Sequence, residues 1–376
     1  MPKCCSPGET AAPPTTRPGR TSGSKCEEPL SVPEIIQNVL YLTTPGLFVQ
    51  RDHLTLRIER DHALVLSLPI HHVESVCIMG DEIILSHGAM QLSLEHAVPV
   101  NYLDGNGRLR ARVTGVPDTS VTLRRAQFRA SENPELQTRI CRCIVAGKLH
   151  NARNSLLRGA RETTDPAAAE ALSSVCDAMA RLITRLPDAE NPDTVRGLEG
   201  AGAQAYFSAF GLLLKQQQED FVFKIRTRQP PLDRVNCLLS FLYALVRHDC
   251  ISALTVAGLD PFVGFLHAER ANRPSLALDL MEEFRPWLAD RLAITLINRQ
   301  QIQPPHFALR EGGAVELTAD GRKALIKAYQ ERKRESLQHP MLAQQVAIAR
   351  SFFVQARLLA RVLRNDVAEY EPLIPK

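Results

Sequence analysis

The chain has 376 residues, 44% of them hydrophobic and 23% charged, with 45 Lys and Arg against 41 Asp and Glu and a formal net charge of +4. This is the make-up of an ordinary soluble globular protein, long enough to predict two domains. The net charge is too small to identify a polyanion partner. From Gly321 onward, however, eleven Lys and Arg stand against five Asp and Glu, a basic end that fits either a polyanion-facing surface or a solvated helix.

Residues 1–33 are rich in Pro, Gly, Ser and Thr and lack an apolar run, which predicts a disordered tail and excludes a secretory signal. No stretch approaches the roughly 18 consecutive apolar residues of a membrane span. The nine cysteines form no CxxC pair, so neither a zinc site nor a disulfide framework is expected, and reduced thiols in a cytoplasmic protein are the expectation.

Residues 34–117 read as a β domain. Leu54, Leu56 and Ile58, then Leu64, Leu66 and Leu68, then Met90, Leu92 and Leu94 recur at every second position. Val98, Val100 and Tyr102 lead into a turn at Asp104–Gly107 and out through Leu109, Ala111 and Val113, a hairpin signal. Short antiparallel strands at this spacing predict a small β-sandwich. Arg108, Arg110 and Arg112 share one face of the last strand, which predicts an edge strand kept soluble by charge, with a phosphate-tracking ladder as the second reading.

Residues 118–376 carry helical spacing and predict a larger all-α domain with a flexible C-terminal end, apart from an extended piece around "GGAVELT". The fold class is therefore α+β. Gly200 to Ala205 matches G-x-G-x-x-A, but a polar, proline-bearing loop precedes it where a dinucleotide site needs a buried strand, so that reading is rejected. What remains is Glu199 at the head of a small-residue helix. Each helical glycine costs about 1 kcal/mol relative to alanine, a cost that close packing would explain.

"GFLHAERANRPSLALDLMEEFRP" runs from Gly264 to Pro286. Leu276, Leu280, Phe284 and Leu288 form a core stripe on a helix beginning near Pro274 and Ser275. Asp279 and Glu282 lie away from that stripe, which fits a solvated acidic face. His267 ends an apolar run, and one histidine with convergent carboxylates is also a ligand set for magnesium or manganese.

The series "KLHNARNSLLR", "GLEGAGAQAYFSAF", "LLSFLYALV", "AGLDPFVGFLHAERANRPSLALDLMEEFRP" and "LTADGRKALIKAYQERKR" resembles the CRISPR-associated spacer-acquisition integrase, the metal-dependent DNA endonuclease subunit of the adaptation complex, in its type I-C form. The resemblance runs from about Asn38 to Arg364. It implies a dimerising β domain, an all-α catalytic domain, and assembly with a small ferredoxin-like partner subunit. It places the metal ligands, for Mg2+ or Mn2+, on Glu199, His267 and Glu282, with Asp279 as an outer-shell or alternative ligand; many members have aspartate at the third position. The implied reaction is attack of a DNA 3′-hydroxyl on a repeat-boundary phosphodiester, inserting spacer DNA in antiviral defence. Lys148, Asn151, Arg153, Arg270 and Arg273 are the candidates for contact with double-stranded DNA. A catalytically silent DNA-binding scaffold and a small-molecule phosphohydrolase are the competing readings. Ligand-competent residues at all three positions disfavour the first. The basic excess and the absence of a glycine-rich cradle disfavour the second.

Overall fold

The amino-terminal strands show how one apolar run can serve two cores. The protein is seen here as a computed structural model that describes residues 34–36, 39–79, 82–105, 107, 109–115 and 121–375. The strands are β1 (Glu34–Ile36), β2 (Val39–Leu42), β3 (Leu47–Asp52), β4 (Thr55–Arg60), β5 (Ala63–Pro69), β6 (Ser75–Ile78), β7 (Ile84–Leu85), β8 (Val100–Leu103) and β9 (Leu109–Val113), with helix α1 (His87–Glu95) between β7 and β8. One sheet has the order β1-β2-β6-β8-β9 and the other β5-β4-β3-β7. Leu40 and Leu42 of β2, with Val76 and Ile78 of β6, face a core shared with Leu47, Val49, Leu56 and Ile58 of the second sheet. Tyr41 and Cys77, the residues between them, belong to the core of the helical region. Alternate side chains leave opposite faces, so a sheet covered on both sides reads as continuous apolar sequence.

Two expectations need correction. β2, β6 and β8 run parallel, not antiparallel. Parallel neighbours require crossovers, and β3–β5 supply one while β7 and α1 supply the other. Met90, Leu92 and Leu94 lie in α1, not in a strand. The Ser86 side chain caps that helix by accepting from Ala89 N–H at 3.2 Å, and the buried residues Ala89, Leu92 and Ser93 follow helical spacing. The β8–β9 hairpin forms as predicted. The tail at residues 1–33 and Arg108 lie outside the described residues, as does the change from strands to helices at 116–120.

The helices are α2 (Val121–Glu132), α3 (Pro134–Glu162), α4 (Pro166–Thr184), α5 (Pro192–Ala209), α6 (Arg234–Val256), α7 (Ser275–Met281), α8 (Arg291–Asn298), α9 (Ala319–Arg334) and α10 (Ile348–Leu363), with a π-helical turn at Arg285–Asp290. α3, α4 and α5 each start with proline after a capping Asn133, Asp165 or Asn191, since proline's missing N–H would be unsatisfied in a first turn anyway. α6 is long and apolar enough to cross a membrane, but it is the core helix here, with 78% of its most apolar window buried. The piece around "GGAVELT" forms a hairpin of β10 (Phe307–Leu309) and β11 (Val315–Leu317). A second hairpin, β12 (Ser336–His339) with β13 (Gln344–Ala347), was not anticipated.

β9 is an edge strand. Arg110 pairs with Asp104 at 3.0 Å, and half-buried Arg112 donates to Ser252 of α6 at 2.8 Å. Cys77, Cys141, Cys143, Cys176, Cys237 and Cys250 are free thiols, all buried except half-buried Cys143. The end expected to be flexible is packed, with Tyr370 and Leu373 in the helical core.

Candidate metal centre

The site is built where α3, α5 and the segment from Gly264 to Asp290 meet. α3 and α5 approach closely because Gly202 has no side chain: a Cβ there would collide with Leu149. Gly200 meets nothing within 4 Å, so packing explains one glycine of this helix and not the other. Asn191 and Pro192 start α5 earlier than the sequence indicated, so Glu199 stands inside the helix instead of at its head. Half-buried Glu199 reaches Lys148 of α3, with Oε1 accepting from Nζ.

The turn Gly264–His267 is held from three sides. Gln137 donates to Phe265 O at 2.8 Å, and Arg196 donates to Leu266 O at 2.9 Å. Asp279, fully buried on α7, accepts from the backbone N–H groups of Phe265 (2.6 Å), Leu266 (3.0 Å) and His267 (2.9 Å). Its Oδ1 also lies 2.7 Å from His267 Nδ1. A nitrogen facing a carboxylate carries the ring proton, which leaves the lone pair on Nε2. Gly264 is required at this contact: a Cβ would sit 2.8 Å from the Ser275 carbonyl carbon and 2.9 Å from Asp279 Oδ2.

His267 Nε2 points toward Glu282, 3.7 Å from Oε1. Glu282 follows the last residue of α7, where the chain changes from α-helical to a turn and then to the π-helical segment; such π segments recur at functional sites. The expected solvated acidic face is absent: Asp279, Glu282 and Glu283 are 0%, 1% and 2% exposed. Arg285 donates to Glu282 Oε1 at 2.5 Å, and the Lys148 ammonium lies 2.6 Å from Oε2. Burial pushes the Glu282 carboxyl up, but the adjacent Arg285 and Lys148 outweigh it and hold it well below the usual carboxylate range.

Glu199, His267 and Glu282 are thus brought together, with Asp279 behind the histidine. Among the described residues, no three His, Cys, Asp or Glu side chains stand at cation-holding distances. The Lys148 ammonium, a compact point charge, lies between the two glutamates in their place. Buried Glu282 Oε2 has no well-directed hydrogen bond. Two carboxylates and an imidazole lone pair directed at a position held by a cation fit a hard divalent ion.

The other candidates divide. Lys148 is engaged with both glutamates. Asn151 is 1% exposed, and its amide donates to Glu283 O and Leu373 O, each at 2.8 Å, so it is a structural bridge beneath the site and not a surface group. Arg153 donates to Cys176 O at 3.1 Å. Arg270 is exposed and Arg273 half-buried, both in the loop between His267 and α7.

Arg285 was missed, although its position three residues after Glu282 is the spacing of a helical ion pair. Arg285 also lies 4.4 Å over the Tyr243 ring and borders a cavity of about 400 Å3 lined by Arg226, Arg228, Tyr243 and Arg247, among others. These arginines are far from the motif in sequence, and no local pattern marks them.

The family model described as CRISPR associated protein Cas1 matches residues 40–331. A CRISPR-associated endonuclease Cas1 from Moorella thermoacetica is 43% identical over 340 residues, covering 90% of this chain and 99% of that protein. Among solved structures, a casposase bound to integration product has a TM-score of 0.76 at 22% identity, covering 89% of this chain and 92% of that one. A Cas6-RT-Cas1–Cas2 complex has a TM-score of 0.74 at 24% identity, covering 91% of this chain and 37% of that one. At such identities the structural likeness speaks to the fold, whereas the family match and the identity to the Moorella protein speak to descent. The chain belongs to the CRISPR associated protein Cas1 family.

Proposed function

We propose that this protein is a divalent-cation-dependent DNA endonuclease and integrase that inserts new spacer DNA into a CRISPR array. The observation that carries the proposal is the convergence of Glu199 and Glu282 on one ammonium group, with His267 Nε2 beside them. Glu199, His267 and Glu282 would hold Mg2+ or Mn2+. Such an ion polarises a phosphate oxygen and lowers the pKa of an attacking hydroxyl.

The rest falls to the chain's own groups. Asp279 fixes the ring that presents Nε2. Lys148, when displaced from the carboxylates, remains within reach as a cation for a phosphate. Arg270 and Arg273, on the loop after His267, suit phosphate contact. The arginine-lined cavity beside Arg285 offers guanidinium groups to a DNA strand passing the site. Attack by a DNA 3′-hydroxyl on a phosphodiester would release another 3′-hydroxyl, and water in the same position would give hydrolysis. The Moorella relative's description as an endonuclease and the casposase's integration product both support this chemistry. The Cas6-RT-Cas1–Cas2 complex supports assembly with a Cas2-type partner, proposed here to be a small ferredoxin-like subunit; the sheet-rich end is proposed to pair two copies.

The test is strand transfer on a branched DNA substrate with Mn2+, with and without chelator. Glu199→Ala and His267→Ala are expected to abolish transfer while duplex binding remains. Wild-type turnover in either variant would sink the ligand assignment.

A further inference from the structure

The residue after Glu282 has partners that the proposed chemistry does not use. Glu283 is buried, and no cation pairs with it among the salt bridges of the described residues. Its carboxylate is held by donors from the end of the chain. Tyr370 O–H donates to Oε1 at 2.6 Å, and Leu373 N–H donates to Oε2 at 2.5 Å. The Gln355 amide of α10 reaches both oxygens, at 3.2 and 3.1 Å, and also Tyr370 Oη at 2.9 Å.

The same segment is fastened to α3. Asn151 donates to Glu283 O and to Leu373 O, so one amide joins helix, acidic residue and terminal segment. One turn earlier on α3, Lys148 meets Glu282. At Gly147 the segment presses so closely that a Cβ would sit 2.5 Å from Pro372 Cβ and 3.4 Å from Glu283 Cβ. Adjacent residues of the junction after α7 are therefore tied in two directions. Glu282 turns toward the cation position, and Glu283 is anchored behind it. Glu282 itself has α-helical dihedrals (φ −59°, ψ −39°), but its N–H bonds Asp279 O three residues back at 3.2 Å, so regular α-helical hydrogen bonding has ended there and does not by itself fix where Glu282 points.

We propose that residues Tyr370–Leu373 form a strap that positions Glu282 by clamping Glu283, and so sets the affinity of the centre for its divalent cation. This rests on the ligand reading above. Glu283, Gln355, Asn151 and Tyr370 are positioning residues: each acts on the cation through Glu282 and touches no substrate. The strap draws on α3, α10 and the terminal segment, so its loss loosens both Glu282 and the Lys148–Glu282 approach.

The experiment uses the full chain with Mn2+ as the probe. Tyr370→Phe removes one donor to Glu283, and Gly147→Ala pushes Pro372 away. Both leave Glu199, His267 and Glu282 in place. Calorimetry on metal-free protein is expected to show Mn2+ binding weakened by about tenfold in each, the scale seen when groups behind metal ligands are altered. The Mn2+ concentration for half-maximal strand transfer should rise in parallel, while duplex binding in chelator stays unchanged. Amide exchange across 279–290 should quicken in the metal-free variants. Leu56→Ala, a destabilising change in the distant sheet core, serves as control and should leave Mn2+ affinity unchanged. Unchanged Mn2+ affinity in Tyr370→Phe overturns the strap, even if Gly147→Ala fails to fold; an equal loss in Leu56→Ala overturns it too. Glu282→Gln separates the two readings. If it binds Mn2+ like wild type, the ligand reading fails. If it loses Mn2+ while both strap variants keep it, the strap alone fails.

Discussion

Replacing Asp279 by asparagine tests the turn that presents His267. Oδ2 accepts from Phe265 N–H and Leu266 N–H, while Oδ1 meets His267 N–H and Nδ1. An amide of the same shape offers one oxygen and one NH2 group. With NH2 on the Oδ2 side, the two backbone donors Phe265 N–H and Leu266 N–H lose their acceptor; with NH2 toward His267 only its backbone N–H does, because the ring can turn to an acceptor at Nδ1, so this orientation is favoured. A buried donor left without an acceptor costs about 1–3 kcal/mol, against a total stability of about 5–15 kcal/mol. With NH2 toward His267, the ring must accept at Nδ1 and carry its proton on Nε2, the atom 3.7 Å from Glu282 Oε1. A protonated Nε2 cannot ligate a cation. Urea denaturation followed by circular dichroism should therefore show a loss of about 1–3 kcal/mol. Mn2+ calorimetry well below the transition should show binding lost even where the protein stays folded. A stability change under about 0.5 kcal/mol, the range of an ordinary surface substitution, together with wild-type Mn2+ affinity would refute the reasoning.

Three further outcomes are expected. Gly200→Ala should stabilise by up to about 1 kcal/mol, because nothing lies within 4 Å of the new methyl and alanine favours helix. Gly202→Ala should destabilise by about 1–3 kcal/mol, because it forces Leu149 aside; thermal melts giving the two changes the same sign would contradict the packing account. Burial pushes the Asp290 carboxyl up to about 6, despite the Tyr243 hydroxyl donating to it at 2.6 Å. Its folded pKa exceeds the unfolded value of about 3.9, so its contribution is fully present below about pH 4 and lost as pH rises through about 6. Asp290→Asn should flatten that part of the urea-midpoint profile, and parallel wild-type and variant profiles would count against it. Duplex binding should weaken steeply with salt, and removing Arg270 and Arg273 together should lessen the log–log slope by about 1.8, at about 0.9 per phosphate contact; an unaltered slope would remove both from the DNA path.

How much of this was legible depended on whether the controlling contact was local. The β8–β9 hairpin is set by a turn between two alternating runs, and sequence alone located it. α1 misled because leucines two apart satisfy a strand pattern while Ala89, Leu92 and Ser93 satisfy a helical one; the deciding contact is the Ser86 cap, a residue before the run. The parallel strands were not legible, since β2, β6 and β8 find each other across crossovers that no local spacing encodes.

At the centre, residue types were readable and their environment was not. A helical wheel assigns Asp279 and Glu282 to water because it assumes a single apolar neighbour on one side. Here the segment is covered on both sides: the Gly264–His267 turn lies over Asp279, and α3 lies over Glu282. Each carboxylate can be buried because donors from elsewhere meet it, backbone N–H groups for Asp279 and cations for Glu282. An unpaired charge in such a place would be expelled or neutralised. Burial of three acids within about one turn is thus a tertiary property, decided by the Gly264–His267 turn, Lys148 and the segment ending in Leu373, which lie outside the helix itself, with Arg285 alone at helical spacing from Glu282. A sequence pattern can name the acids that such a site would use. Only the packing of α3 and the terminal segment turns a plausible solvated face into a buried one whose acids meet donors from elsewhere.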